Sequence, residues 1–320
     1  MSKIPDKEDY IELRDQIYKN KIDLTGRVLK SGTKIGKMLV DGRDKEDTII
    51  YKGIEKNGKH VIIKYTYNYN DIINGIKHMK KLEKLGIEFY YYHIDNLLDI
   101  VDQSDNFIVM EELLPVKKDD VLEMLKQLIP VIFKYKGYMA HCDIKPDNIM
   151  KSSSGKFYFI DYDSVCNTKF LYGYKRTAFT PKFATQSDVF NPILITIKQD
   201  LIELILSAHA IYYADDKREI QEKDNYRLFL VQSLSKLTYT SKRIFGAIYI
   251  ITLNMNEKYI TDNDLYLLLI TLKAIHDNNN PELIDKILSS IEKGLDNKDI
   301  IITPQDLIPP VYPDDDDDDI

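Results

Sequence analysis

Cysteine is scarce in this chain. Cys142 and Cys166 are its only two, and neither belongs to a Cys-x-x-Cys pair. That excludes a disulfide framework or a zinc cluster and fits a reducing compartment. Tryptophan is absent, whereas tyrosine occurs 23 times. Together with abundant Ile, Lys, Asn and Asp, this is the bias of an AT-rich genome, such as that of a parasite or a large DNA virus. Long apolar runs are also lacking. Residues Met1 to Asp9 carry no apolar stretch of the kind a signal peptide needs. The most apolar helical candidate, 193–213, includes Lys198, Asp200 and Glu203, which favours a buried core helix over a membrane span. An intracellular, cytoplasmic protein without a membrane partner is expected; in a viral setting the host cell or the virion would be its place. Positive charge is not in excess either. The net charge is −7, and Asp314 to Asp319 supply six of the negative charges, so the body is close to neutral and no nucleic-acid partner is expected.

What is present suits a globular protein: 44% apolar and 30% charged residues over 320 positions, enough for one large domain or two lobes. A short charged helix is expected over 8–20. From Gly32 to Tyr67 the chain is strand-like, with a hairpin whose arms, 48–51 and 60–65, flank an Asn57-Gly58 turn. Ile72, Ile76, Met79 and Leu82 recur on one face of a helix over 70–85. Strands are expected at 97–101 and 107–110. After Pro115 the pattern becomes helical: 119–137, with Pro130 expected to kink or break it, then 193–213, 224–237, 241–252, 262–276 and 281–293. The Pro- and Asp-rich end, 304–320, reads as a disordered tail.

The chemistry concentrates in His141-Cys142-Asp143-Ile144-Lys145-Pro146-Asp147-Asn148, followed thirteen residues beyond Asn148 by Asp161, at the end of the β-like run Lys156 to Ile160. A lone Asp-x-x-x-x-Asn is usually only a turn. One carboxylate to accept a proton, two oxygen-bearing side chains for a hard cation and a Lys for phosphate charge are together what phosphoryl transfer to a hydroxyl requires. The pattern resembles the catalytic and metal-binding loops of the eukaryotic-type serine/threonine protein kinases. Lys145-Pro146 sets it apart from small-molecule kinases of the aminoglycoside type and from tyrosine kinases.

The resemblance extends over about 30–205. It implies an α+β, two-lobed kinase-like fold: an N-terminal extension (1–30), a small β-rich N-lobe (31–111), a large α-helical C-lobe (112–303) and the acidic tail (304–320). It implies ATP and Mg²⁺ (or Mn²⁺) as cofactors and a Ser/Thr-bearing protein as substrate. Asp143 is then the base, Lys145 the group that stabilises transferred-phosphate charge, and Asn148 and Asp161 the metal ligands. Lys64, in Val61-Ile62-Ile63-Lys64, would grip the nucleotide phosphates. Backbone from Glu111 to Leu113 would meet adenine, and Gly42 would open the glycine-rich loop. His141 would brace the loop, and Asp200 would tie a central helix to it. The stretch from Thr180 to Gln186 is similar to the end of an activation segment.

Departures are equally specific. Of three expected loop glycines only Gly42 is present, and the alternative Gly32-Thr33-Lys34-Ile35-Gly36-Lys37 reads as a strand entry. Gly75 stands where the family's helix has a Glu partner for Lys64, with Glu83 the nearest carboxylate. Cys142 replaces an Arg, which implies activity independent of activation-segment phosphorylation. Tyr162 and Asp163 replace Phe and Gly. A pseudokinase serving as a binding or scaffolding module is the alternative these departures raise.

Overall fold

The computed structural model describes residues 17, 21–43, 48–66, 69–97, 107–135, 139–162, 165–167, 197–212, 241–255, 260–276 and 280–304. The expected helix at 224–237, the activation-segment-like stretch, Asp163 and the acidic tail lie outside these residues. The fold is mixed α+β, with an antiparallel sheet early in the chain and helices later. It divides into two compact units: Met1–Leu114 with Met150–Asp163, and Pro115–Ile149 with Ser164–Ile320.

In the first unit β1 (Lys34–Asp41), β2 (Thr48–Ile54), β3 (His60–Thr66), β4 (Tyr92–Asp95) and β5 (Phe107–Glu111) form an antiparallel sheet in the order β1-β2-β3-β5-β4. Alternation sorts its two faces. Ile49, Tyr51, Val61, Ile63, Tyr65, Phe107 and Val109 are buried together, and Ile17, Leu24 and Leu29 from before the sheet join the same cluster. The segment set apart as an extension therefore supplies core. Tyr51 also accepts a hydrogen bond at its hydroxyl from the Leu24 N–H (3.2 Å). Lys64 pairs with Ile50 and Ile108 and so lies on the opposite face from Ile63 and Tyr65. The β2–β3 hairpin closes as expected: the Gly58 N–H donates to the Glu55 carbonyl, and Gly58 takes φ +84°, a left-handed value that suits glycine. Gly32 and Thr33 do lead into a strand, β1.

One strand is displaced from its expected place. The neighbour of β5 is Tyr92–Asp95, whereas Leu97 makes only an isolated bridge with Leu29, and 98–101 lie outside the described residues. Side chains stop the ladder here. The Asp95 carboxylate accepts from the Asn96 N–H (2.8 Å) and the Asn96 amide oxygen from the Leu97 N–H (2.9 Å), competing with cross-strand pairing.

Helix α1 (Tyr69–Glu83) packs against β3 and buries Ile76, Met79 and Leu82. The short strands Ile149–Lys151 and Phe157–Phe159 lead to Asp161, their connection tightened by the Gly155 N–H donating to the Ser152 carbonyl (3.0 Å).

The second unit is built on α2 (Val121–Tyr135), α3 (Ile197–Tyr212), α4 (Ser241–Leu253), α5 (Asp262–His276) and α6 (Pro281–Glu292). Helix α2 runs through Pro130 without a break. An interior proline costs roughly 3 kcal/mol. Against that, α2 buries Val121, Met124, Leu125, Leu128, Ile129, Ile132, Phe133 and Tyr135, each aliphatic one worth roughly 1.5–3 kcal/mol, so burial decides. Helix α3 packs on α2 and α4 and is almost wholly buried, which explains its near-continuous apolar sequence. Asn280 caps α6 by accepting from the Leu283 N–H (3.2 Å), with Pro281 at the first helical position.

Candidate active site

The second unit holds the 141–148 loop. It leaves the short strand Met139–Ala140, which pairs with Cys166–Asn167. His141 is fully buried, and Cys142 is 2% exposed with φ +69°. A left-handed cysteine is strained, and such a conformation persists only where its surroundings impose it. Here the Asp200 carboxylate, on α3, accepts from both the His141 N–H (2.7 Å) and the Cys142 N–H (3.0 Å). The tie expected of Asp200 is thus present as two hydrogen bonds.

Beyond Asp143 the chain extends through Lys145 and turns at Pro146, whose ring favours an extended residue before it and a helical start after it. The 3₁₀ turn Pro146–Asn148 closes with the Asn148 N–H on the Lys145 carbonyl (2.9 Å) and folds Asn148 back onto Asp143. The Asn148 amide nitrogen donates to the Asp143 carbonyl (2.9 Å) and to Asp143 Oδ2 (3.2 Å). Lys145 Nζ donates to the same Oδ2 (2.9 Å). Asp143, Lys145 and Asn148 are therefore brought together on one carboxylate, buried but open enough for the Asp143 side chain to keep 11% of its surface. With its nitrogen committed to Asp143, Asn148 has Oδ1 to offer a cation.

The first unit holds Lys64 and Asp161. Lys64 Nζ lies 2.8 Å from Asp161 Oδ1. Asp161 follows the strand Phe157–Phe159 in a left-handed conformation, φ +63°, which Asp tolerates better than most residues. Tyr162 behind it is buried and meets Phe89 edge to face (centroids 5.1 Å apart). His78 of α1 lies below the ordinary histidine pKa because burial disfavours its charge, an effect offset in part by its hydrogen bond to the Tyr162 backbone. Gly75 is buried in α1 and brings no carboxylate. Glu83 accepts from the Tyr92 hydroxyl (3.3 Å), and that phenol is pushed up to about 12 by burial and by the Glu83 charge.

The remaining expected nucleotide contacts are placed as follows. Gly42 directly follows β1 and its N–H donates to the Thr48 carbonyl (2.8 Å), so it does begin the β1–β2 connection; 44–47 lie outside the described residues. Next to it, Arg43 donates to Asp41 through Nε (2.7 Å) and Nη2 (2.6 Å) and to the carbonyls of Ile17 and Ile22 through Nη1. Glu111 ends β5, and its N–H is taken by the Tyr91 carbonyl (2.9 Å). Glu112 pairs with Lys52 (2.6 Å), and Leu113 follows, half-buried.

Among the described residues no group of three or more His, Cys, Asp and Glu side chains is placed to hold a metal ion. Asn148 in the second unit offers an amide oxygen and Asp161 in the first a carboxylate, each by itself a hard oxygen donor of the kind Mg²⁺ takes. No described helix is long and apolar enough to cross a membrane.

One partner of the loop was missed from sequence. Glu203, three residues after Asp200 on the same face of α3, accepts the Ile144 N–H at Oε2 (2.9 Å) and is 1% exposed. The signal was available. A carboxylate set among Leu201, Ile202, Leu204, Ile205 and Leu206 has to meet a donor to be tolerated there. No family model matches the chain, and no curated protein matches it in sequence.

Proposed function

We propose that this chain is a two-lobed serine/threonine protein kinase that transfers the γ-phosphoryl group of ATP to a hydroxyl of a protein substrate. The observation that carries the reading is the convergence of Lys145 and Asn148 on the Asp143 carboxylate, within a loop whose backbone is held by α3. In the reaction the acceptor oxygen bonds to the γ-phosphorus as the bond to the β–γ bridging oxygen breaks, and ADP leaves. Asp143 receives the hydroxyl proton. Lys145, beside it, offers positive charge to the transferred phosphoryl oxygens. Lys64, oriented by Asp161, positions the α- and β-phosphates. The Glu111 N–H serves the sheet, so adenine is left the backbone of Glu112 and Leu113 and the Glu111 carbonyl. Mg²⁺ (or Mn²⁺), with Asn148 and Asp161 as ligands, would supply neutralisation of phosphate charge.

The test is transfer from labelled ATP to casein with Mg²⁺ or Mn²⁺, wild type beside Asp143→Asn. Loss of a general base lowers turnover by about 100-fold or more, so Asp143→Asn should fall at least that far while ATP still binds. Undiminished transfer by this variant would overturn the mechanism. A second reading, a pseudokinase, is favoured by Gly75, which is buried in α1 where a carboxylate partner for Lys64 is expected. ATP binding without transfer by the wild type would select it.

A further inference from the structure

We infer that Glu203 is a second positioning residue for the candidate base, acting on a different peptide group from Asp200; the inference rests on the kinase reading for its kinetic consequence, not for its geometry. Asp200 holds the N–H groups of His141 and Cys142, which precede Asp143. Glu203 holds the N–H of Ile144 (2.9 Å), which belongs to the peptide group joining Asp143 to Ile144. The carbonyl of that same peptide group is Asp143 O, and it accepts from the Asn148 amide (2.9 Å). The plane that follows Asp143 is therefore pinned at both ends, by α3 through Glu203 and by the 3₁₀ turn through Asn148. A rotation of this plane would swing the Asp143 side chain and detach Asn148 from it. Ser207, one turn on from Glu203, extends the same stripe with its hydroxyl 3.4 Å from the Ile144 carbonyl.

The cost of the arrangement argues for its use. An apolar residue at 203 would continue the packing of a helix buried on nearly every side, whereas a carboxylate there needs compensation for lost hydration. Part of that compensation comes from the backbone beside the base. Removing Glu203 would leave the Ile144 N–H without that acceptor, and the plane after Asp143 would lose one of its two pinned ends.

The test uses the full chain with Glu203→Ala, Glu203→Gln and Glu203→Asp. Gln keeps an acceptor at the same reach; Asp keeps the charge but is a methylene too short. Amide hydrogen exchange over 141–145 reads the clamp whether or not phosphate is transferred. Exchange there should quicken in the Ala and Asp variants and stay close to wild type in Gln, with α3 still protected in all three. In casein phosphorylation, misplacing the base by a fraction of an ångström to one ångström should lower kcat by about 30–100-fold in Ala and Asp, with KM for ATP within about twofold, and Gln should recover most of it. Should the Ala variant fail to fold, the Asp variant carries the comparison. Unchanged exchange over 141–145 in Glu203→Asp would overturn the inference, as would a loss of kcat equal in Gln and Asp. A wild type that transfers no phosphate would remove the kinase reading and leave the exchange result to decide the clamp.

Discussion

Cys142 adopts a left-handed backbone, φ +69°, while its side chain is buried and its thiol lies 3.4 Å from the Ala140 carbonyl. A side chain with a Cβ pays roughly 1–2 kcal/mol for that conformation, and a β-branched one pays more. The Asp200 carboxylate makes the conformation worthwhile by collecting two consecutive N–H groups. Substitutions at 142 should therefore rank by backbone tolerance more than by size. Cys142→Gly should stay within about 1 kcal/mol of wild type, relief of strain offsetting lost burial, and Cys142→Val should lose about 2 kcal/mol or more in urea unfolding. Equal stability of the Gly and Val variants would mean that the left-handed backbone is not required in solution. At this scale the sequence was most legible where chemistry depends on local spacing. Asp143, Lys145 and Asn148 meet through one turn, and Pro146 announces that turn. Glu203 was not legible in the same way, because its partner lies 59 residues away and only the packing of α3 brings the two together.

Elements followed the hydrophobic pattern wherever burial was strong. The helix expected over 262–276 is Asp262–His276, and that over 281–293 is Pro281–Glu292. Pattern failed at β4, where Tyr92–Asp95 carries a His and an Asp and shows no clean alternation, so its pairing comes from β5. At Pro130 the expected break does not occur, because the apolar face outweighs the missing hydrogen bond. The end of β1 offers a test of how the start of the sheet is anchored. The Arg43 guanidinium holds the Asp41 carboxyl down at about 2, against an ordinary value of 3.8, and also caps two carbonyls before the sheet. A depressed carboxylate contributes stability that is fully present above its unfolded value and lost as pH falls through its folded value. The window here is thus from about pH 4 down to about pH 2. Asp41 keeps 38% of its side-chain surface, so solvent screening holds the effect to at most ~1 kcal/mol. Asp41→Asn should lower Tm modestly at pH 7, and the difference from wild type should vanish near pH 2. A difference that persists unchanged at pH 2 would show that the pair adds nothing through its charge.

For the whole molecule, the reading that matters is whether a nucleotide is held at all. The sequence set Asp143, Lys145 and Asn148 in one loop and the structure brings them together, whereas the candidates for gripping a nucleotide depart, at the glycines and at Gly75, from the kinase pattern that the sequence resembles. The structure gives Lys64 a partner in Asp161 even so (2.8 Å), which needs neither the missing helix carboxylate nor the loop glycines. A ligand that binds only the folded chain stabilises it by about 2.7 kcal/mol at a hundred times its Kd, enough to raise Tm by several degrees. ATP with Mg²⁺ should therefore shift the melting of the wild type by that amount. On the kinase reading the shift in Lys64→Ala at the same concentration should shrink by more than half, because the role proposed for the ammonium is to meet phosphate charge and Asp161 loses the partner that orients it. Adenosine should stabilise both proteins equally and weakly, since it carries no phosphate for Lys64 to meet. A full shift by ATP in Lys64→Ala would remove this lysine from the site. No shift in the wild type would remove the nucleotide, and with it both the kinase and any pseudokinase that works by binding ATP.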